Sequence, residues 1–373
     1  MKRVLLGTTA LMAASAIGMG QAHAKFDVTI NGVWNTAYGF VDQDDSTGES
    51  GDNRHNQAIN EDFEVFFQIT QTLDNGVTVG GRVELEGFQS DSDQIDERWI
   101  YFRGGFGEVR IGDEDDARKL MSYTSPNPTN FLFGVNSPSF TFQSLASGQV
   151  VSTNSTTPFD GDSSKIIYFT PSFSGFQLAV SYAPDASQDR TGFGTGSTQD
   201  FVSSYVSIGA NYSGQFDGFT IGAGGGYSQA HAETNGPGPF GNAINDDSPY
   251  TWAAGANIGF GGFTVGGSIA MGDGLDSTGY NGYSVTEATV YDIGVTYAFD
   301  AVNVGIAWSH GEYEDVNDGE NDELDFITLG SGYTLGEGVL LAAFVGWFDY
   351  EDGGPTSNDN TGWQAGVGAG LDF

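Results

Sequence analysis

Apolar and polar residues alternate along most of the chain beyond its first 24 positions. Val28, Ile30 and Trp34 share one parity. Asp27 and Thr29 take the other. Because successive side chains of a β-strand point to opposite faces, this pattern predicts strands with one apolar and one polar face. Such strands are predicted near residues 26–41, 61–73, 77–88, 97–103, 108–112, 165–171, 175–183, 200–212, 218–231, 249–260, 263–272, 287–299, 302–314, 323–335, 338–350 and 361–373.

The connections between these strands alternate between long and short. The long ones are acidic or rich in Ser, Thr and Asn, whereas the short ones are tight turns such as Asn75-Gly76, a typical hairpin sequence. Nothing in the packing of a soluble β-sandwich requires every long loop to lie at one end of the fold. The pattern therefore predicts an all-β fold, a 16-stranded antiparallel transmembrane β-barrel. Its last strand must pair with its first, because lipid offers a free strand edge no hydrogen bonds.

The first 24 residues have the composition of an export signal. Lys2 and Arg3 precede an apolar stretch over residues 4–20, and Ala22, His23 and Ala24 form a small-x-small cleavage pattern. The domain prediction is therefore a signal peptide at 1–24 and a single barrel domain at 25–373. No later apolar run reaches the roughly 18 residues that a membrane-spanning helix needs, so a helical membrane protein is excluded.

The composition of the chain argues against several classes of function. The chain has 12 basic and 49 acidic residues, a formal net charge of −37, and no cysteine, which makes nucleic acid an implausible partner and excludes disulfides. The histidines lack metal-binding spacing and no nucleophile elbow is present, so no catalytic residue and no cofactor are expected. Acidic loops such as 42–45 and 312–325 could bind Ca²⁺ or Mg²⁺ loosely, although without EF-hand spacing they are more simply solvated loops.

Three segments of the chain resemble the Gram-negative general porins. The stretch 98–112 (RWIYFRGGFGEVRIG) is similar to the strand, turn and strand before the constriction loop. The stretch 165–182 (KIIYFTPSFSGFQLAVSY) is similar to the hairpin after that loop. The chain also ends in Phe373, with Leu371 and Val367 at alternate positions before it, which resembles the terminal signal read by the barrel assembly machinery.

The resemblance implies a location and a set of partners. It implies export through the periplasm to the cell outer membrane, where the lipid bilayer and lipopolysaccharide surround the barrel. It also implies a homotrimer in which each subunit holds its own channel. The third loop, about 113–164, is expected to fold inward and narrow the barrel. In this chain the loop contains no acidic residue between Asp116 and Asp160, so the acidic loop tip of the family is in doubt.

Charged residues beside the loop are the expected selectivity elements. Opposed arginines and carboxylates in a narrow passage orient passing ions, although the same residues could instead anchor the loop to the wall. The candidate pore-constriction residues are Arg82, Glu84, Arg103, Glu108, Arg110, Asp113, Asp115, Arg118 and Lys119. The candidate pore-wall residues are Asp62, Glu64 and Glu86.

The expected function is passive diffusion of small hydrophilic solutes and ions through a water-filled channel, with weak cation selectivity. A first alternative is a substrate-specific channel, for which Phe131, Phe133, Phe140 and Phe142 could form an apolar slide. A second is a surface adhesin or structural envelope barrel that displays the acidic loops. The run 99–102 does not alternate, which leaves the register of strands 4 and 5 open and could mark a subunit contact.

Overall fold

A computed structural model describes residues 26–45, 51–87, 94–130, 132–136, 140–143, 161–185, 202–232, 248–274, 285–315, 321–354 and 359–373. The predicted signal peptide lies outside the described residues. The strands are β1 Asp27–Gln43, β2 Gln57–Thr72, β3 Thr78–Glu86, β4 Ile95–Gly104, β5 Gly107–Asp113, β6 Ser164–Phe169, β7 Phe176–Asp185, β8 Val202–Phe216, β9 Phe219–Ala232, β10 Tyr250–Phe260, β11 Phe263–Asp273, β12 Val285–Phe299, β13 Val302–Asp315, β14 Asn321–Gly336, β15 Val339–Glu351 and β16 Asn360–Asp372. A short helix, α1, spans Ala117–Leu120.

These sixteen strands form one closed antiparallel barrel, as the alternation predicts. Each strand pairs with its sequence neighbours, and β1 also pairs with β16. The chain end completes the closure: the Gly32 N–H donates to the Phe373 carbonyl oxygen at 2.9 Å, and the Phe373 N–H donates back at 3.1 Å. In the described part of the chain, no helix has the length and apolar character to cross a membrane.

The outward face of the barrel is apolar and carries aromatic rings at both ends of the strands. On the short-turn side, ring centroids of Phe263 and Tyr297 lie 4.4 Å apart, and those of Phe216 and Phe219 lie 4.8 Å apart. At the loop end, the rings of Phe40 and Trp363 are 5.3 Å apart. Such paired belts are typical of barrels whose outer surface meets the two interfaces of a bilayer.

The wall of the barrel is uneven in height. β1 has 17 residues, whereas β5 has 7 and β6 has 6. A tilted strand needs about 9–11 residues to cross the hydrocarbon core of a bilayer. The wall is therefore low at β5 and β6, on either side of the long segment 114–163.

The barrel encloses an apolar core on one side. Phe133, Phe140 and Phe142 from segment 114–163 are buried against Phe344 and Phe348 of β15. The rings of Phe133 and Phe344 stack with centroids 4.3 Å apart. The interior therefore holds packed side chains along β13 to β16, in addition to the polar residues that the alternation places there.

Candidate pore-lining site

Segment 114–163 begins with a helix that is fixed to the inner wall by serine hydroxyls. Asp116 caps α1, its carboxylate accepting from the Lys119 N–H at 2.7 Å. The Ala117 N–H donates to Ser181 Oγ at 3.1 Å, and the Arg118 N–H donates to Ser207 Oγ at 2.8 Å. These serines lie side by side on β7 and β8, so each strand supplies one acceptor to the first turn of the helix.

Arg118 and Asp116 form a buried pair beneath the helix. The Arg118 side chain is fully buried, and its Nε donates to Ser228 Oγ of β9 at 3.1 Å. Burial raises the pKa of Asp116, but the Arg118 guanidinium and hydrogen bonds from Ser228 and the Lys119 N–H outweigh it, so this pKa lies below its usual value. Solvent does not reach Arg118, and the structure places it in the loop anchor and not at the open surface of the lumen.

Asp292 of β12 is a second anchor for the segment. Its carboxylate accepts from the Ser125 N–H at 2.7 Å, from Asn136 Nδ2 at 2.5 Å and from Ser268 Oγ of β11 at 2.5 Å. Asp292 itself is 5% exposed. One wall carboxylate therefore holds two points of the segment that are separated by eleven positions in the sequence.

Inward-facing glycines allow the segment to lie flat against the wall. A Cβ at Gly255 would lie 1.8 Å from the Tyr123 carbonyl oxygen, and one at Gly224 would lie 2.1 Å from the Met121 carbonyl oxygen. Further along, a Cβ at Gly332 would lie 2.4 Å from the Pro128 carbonyl oxygen. No side chain fits at these positions, so the glycine content of the strands serves close backbone approach.

The aromatic residues of the segment are used for packing. Phe133 is 1% exposed, Phe140 3% and Phe142 9%. The Phe142 N–H also donates to Gln364 Oε1 of β16 at 2.7 Å. These rings face the wall, so they do not form the apolar slide that the sequence offered for a substrate-specific channel; Phe131 lies outside the described residues.

Lys165 joins the two ends of the segment. Its Nζ donates to the Glu114 carbonyl oxygen and, at 2.8 Å, to the Gly161 carbonyl oxygen. Lys165 is 3% exposed. Sequence reasoning did not select this residue, because a lysine at the start of a strand gives no signal of which carbonyl groups the fold will bring to it.

The inner wall at β4 and β5 carries a chain of alternating charges. Glu108 accepts from Arg103 Nε and, at 2.6 Å, from Arg110 Nε. Arg110 reaches on to Glu114, its Nη1 donating to Oε2 at 2.6 Å. The predicted residues Arg103, Glu108 and Arg110 therefore meet on the inward face, and Glu114 joins them.

Two further ion pairs flank this chain of charges. On β3 Arg82 contacts Glu84, which is 6% exposed. At the start of α1, Lys119 Nζ lies 2.6 Å from Asp115 Oδ1. The predicted constriction residues other than Asp113 and Arg118 are thus gathered in these three groups.

Aromatic rings lie beneath the wall arginines, a feature that the sequence did not reveal. The Arg110 guanidinium carbon is 4.4 Å from the Trp99 ring centroid and 4.8 Å from that of Phe169. The Arg103 guanidinium carbon is 4.9 Å from the Tyr101 ring centroid. Cation–π contacts of this kind hold a guanidinium in place. They also explain the missing alternation over 99–102, because Trp99 and Tyr101 face inward while Ile100 and Phe102 are exposed outside.

Comparisons with known proteins agree with this architecture. A model of the Gram-negative porin family matches residues 7–353. This chain belongs to that family. Over 215 residues it is 28% identical to outer membrane porin protein 32 of Delftia acidovorans, and the match covers 55% of this chain and 54% of that protein. Membership of the Gram-negative porin family places the protein in the outer membrane, as the resemblance predicted.

Solved structures share the fold of this porin. OmpT of Vibrio cholerae in a trimer form has a TM-score of 0.60 at 14% identity, covering 93% of this chain and 99% of that one. The anion-selective porin from Comamonas acidovorans has a TM-score of 0.58 at 18% identity, covering 94% and 100% respectively. At these identities the comparison supports the barrel architecture and carries no residue-level assignment.

Asp113 departs from the arrangement predicted for the constriction. Across the sheet, Asp113 pairs with Arg98 of β4 and Ser164 of β6. It shares the parity of the exposed Ile111 and Ile166, which is opposite to that of Arg110. Arg98 Nε lies 3.0 Å from Asp113 Oδ2, and the Ser164 hydroxyl also contacts the Asp113 carboxylate. The strand alternation therefore places Asp113 on the opposite parity to the inner charge chain, with Arg98 and Ser164 as its partners.

In the described part of the chain, two groups of carboxylates lie on the porin wall or between the wall and the long segment. One contains the predicted wall residues Glu64 and Glu86 together with Asp96, and the other contains Glu97, Asp115 and Asp162. In each group the carboxylate oxygens lie within 4.8 Å of one another, a spacing that a hard cation accepts. The third predicted wall residue, Asp62, accepts from Asn35 Nδ2 at 3.2 Å. These acidic groups thus include residues of the strand wall as well as residues of the long segment.

Proposed function

We propose that this porin is a channel for passive diffusion of small hydrophilic solutes and ions. The observation that carries the proposal is the division of the interior. On one side of the barrel, the described residues of segment 114–143 contact the inner wall at strands from β7 to β16 and at β1. The charged wall lies on β3, β4 and β5, and the water-filled path runs beside it. The channel uses no cofactor and no covalent chemistry.

The purified protein in a planar bilayer is expected to give stepwise, nearly ohmic conductance increments, because a pore held open by a fixed wall has no voltage sensor. Liposomes containing it are expected to swell in solutions of small neutral sugars. A barrel that inserts and yet passes neither ions nor sugars would favour the structural or adhesin alternative.

We propose weak cation selectivity, and the way in which the basic residues are partnered supports it. Arg82, Arg103, Arg110 and Lys119 each contact a carboxylate, so much of their charge is compensated locally. The acidic wall groups described above and the chain's formal charge of −37 add a negative potential that attracts cations. The anion-selective relative from Comamonas acidovorans shows that the opposite sign occurs on this fold.

A potassium chloride gradient tests the sign. The reversal potential is expected to correspond to a potassium-to-chloride permeability ratio above one. The preference is expected to weaken as ionic strength rises, because salt screens solvent-exposed charges. A ratio below one at low salt would contradict this part of the proposal and leave the channel itself intact.

The selectivity is expected to depend on pH through Asp162. Burial, together with the charges of Asp115 and Asp96, raises the pKa of this carboxyl to about 6. Asp162 is therefore ionised above that pH and neutral below it. As the pH is lowered through about 6, the negative charge is lost and the potassium preference should fall in a step. Ordinary carboxylates titrate near pH 4. Asp162→Asn should remove the step, whereas Asp74→Asn, an equal charge change at an exposed turn, should keep it.

The low wall supports a homotrimer. β5 and β6, with 7 and 6 residues, are too short to cover the hydrocarbon core alone, and a neighbouring subunit at this side would cover the rest. The structure of OmpT in a trimer form is consistent with this assembly on the same fold. The remaining outer face contacts the bilayer and lipopolysaccharide.

Phe373 is proposed to serve as the signal for the barrel assembly machinery. In the folded barrel it is 57% exposed and its ring lies 6.5 Å from that of Phe63. An exposed terminal ring at the strand end is accessible to a recognition factor. Truncation of Phe373 is therefore expected to impair delivery to the membrane more than the stability of the folded barrel.

A further inference from the structure

We infer that the cavity beneath α1 binds small organic monocarboxylates that carry an apolar group. The inference deepens the proposed function by naming a solute class for one part of the channel. The cavity has a volume of about 520 Å³, within the roughly 300–1,000 Å³ usual for small-molecule sites. It lies between the wall at β4 to β8 and the underside of the helix.

The charge of the cavity is opposite to that of the protein. Its lining contains Arg103 and Arg110 and a single carboxylate, Glu108, which both arginines share. The lining itself therefore carries one more positive than negative charge, and Glu114, which also accepts from Arg110, lies just outside it; the whole chain, by contrast, carries −37. A local excess of positive charge in an acidic protein favours an anion at that place.

Arg103 is the residue that can bind the anion. Its side chain is 56% exposed, compared with 21% for Arg110. Arg110 lies over the rings of Trp99 and Phe169 and donates from two nitrogens to carboxylates. Within the described residues, the contacts of Arg103 are its Nε with Glu108 and its position over the Tyr101 ring. Its terminal nitrogens are left to donate in the paired geometry that a carboxylate accepts.

The rest of the lining selects an amphiphilic solute. Leu120, which packs against the buried cluster that contains Met121 and Phe169, supplies apolar surface, and Gln177 and Asn211 supply amides. Inorganic anions would gain nothing from the apolar side. A monocarboxylate with an aryl or short alkyl group would place its charge on Arg103 and its carbon skeleton against the apolar residues.

Benzoate is the probe for a test with three solutes. Single-channel current of the full-length protein is recorded while benzoate, the neutral isostere benzamide, or formate, a carboxylate with no apolar group, is added at constant ionic strength. Saturable reduction of the current is expected with benzoate and not with the other two. Arg103→Gln should raise the half-blocking concentration of benzoate about tenfold, the loss expected for one charge-assisted hydrogen-bonded contact.

Arg54→Gln is the matched control, because it removes the same charge from an exposed position outside the cavity, and it should leave the block unchanged. A conducting channel that benzoate does not block, or that benzamide blocks equally, would overturn the inference and leave the proposed function standing. If the protein does not conduct, the proposed function fails. In that case, benzoate binding in the cavity is tested separately by NMR. The detergent-solubilised protein is expected to broaden the benzoate signals, and Arg103→Gln is expected to abolish this broadening.

Discussion

Replacing Asp292 with alanine is expected to make the open channel flicker. The carboxylate accepts hydrogen bonds from Ser125, Asn136 and Ser268. Leaving buried donors without an acceptor costs about 1–3 kcal/mol for each group. A loss of about 3 kcal/mol in anchoring raises the population of the detached segment by about two orders of magnitude. Excess open-channel current noise, with a lower mean conductance, is the measured signature.

Asp325→Ala is the matched control for this variant. Asp325 accepts from Trp308 Nε1 at 2.7 Å and lies 3.3 Å from His310 Nδ1. The Asp325→Ala variant therefore also removes a carboxylate that has partners, Trp308 and His310, but neither partner belongs to segment 114–143. We expect wild-type noise from this control. Equal noise in both variants, or quiet current in Asp292→Ala, would show that Asp292 does not hold the segment in place.

Gly255→Ala is expected to narrow the channel without flicker. The added Cβ would lie 1.8 Å from the Tyr123 carbonyl oxygen, so the backbone of the segment must move away from the wall and into the lumen. Overpacking of this kind costs about 1–3 kcal/mol. A steady reduction in single-channel conductance is expected, together with a lower midpoint of thermal unfolding in detergent.

Gly259→Ala separates this effect from a general loss of strand flexibility. Gly259 lies on the same strand and the same parity, and the closest atom to a Cβ there is the Thr220 Oγ1 at 2.5 Å, the end of a side chain that can rotate. Its conductance should match that of the wild type. Unchanged conductance in Gly255→Ala would mean that the segment has room to shift along the wall.

The two variants differ in the kind of change they make. Asp292→Ala removes hydrogen bonds and leaves the shape of the wall, so the segment gains alternative positions. Gly255→Ala keeps the Asp292 carboxylate and changes the shape of the wall, so the segment takes one displaced position. Fluctuating and steady reductions of current therefore distinguish an anchor from a steric fit.

The strands and their faces could be predicted because lipid and water impose a period of two on the side chains. The alternation around Phe67 and Ile69 on one face and Glu64 and Gln68 on the other placed β2 correctly. The run 99–102 could not be predicted in this way, since Trp99 and Tyr101 are apolar residues on the inner face, where they pack against arginines.

The loop anchors could not be predicted from the sequence. Ser207 and Ser228 are ordinary polar residues of two strands, and only their pairing across the sheet brings their hydroxyls together at 3.0 Å beneath Arg118. Gly255 is one of 57 glycines, and its role depends on a carbonyl group more than a hundred positions earlier.

The sequence alone determined the barrel, its strand number and the charged residues near the long segment, because these depend on local periodicity and composition. Only the tertiary structure decided which of those charges face the lumen, which are buried as anchors, and where the positive cavity lies. The physical reason is that a closed barrel brings distant strands together around one interior, so each inward side chain acquires partners that no local pattern specifies.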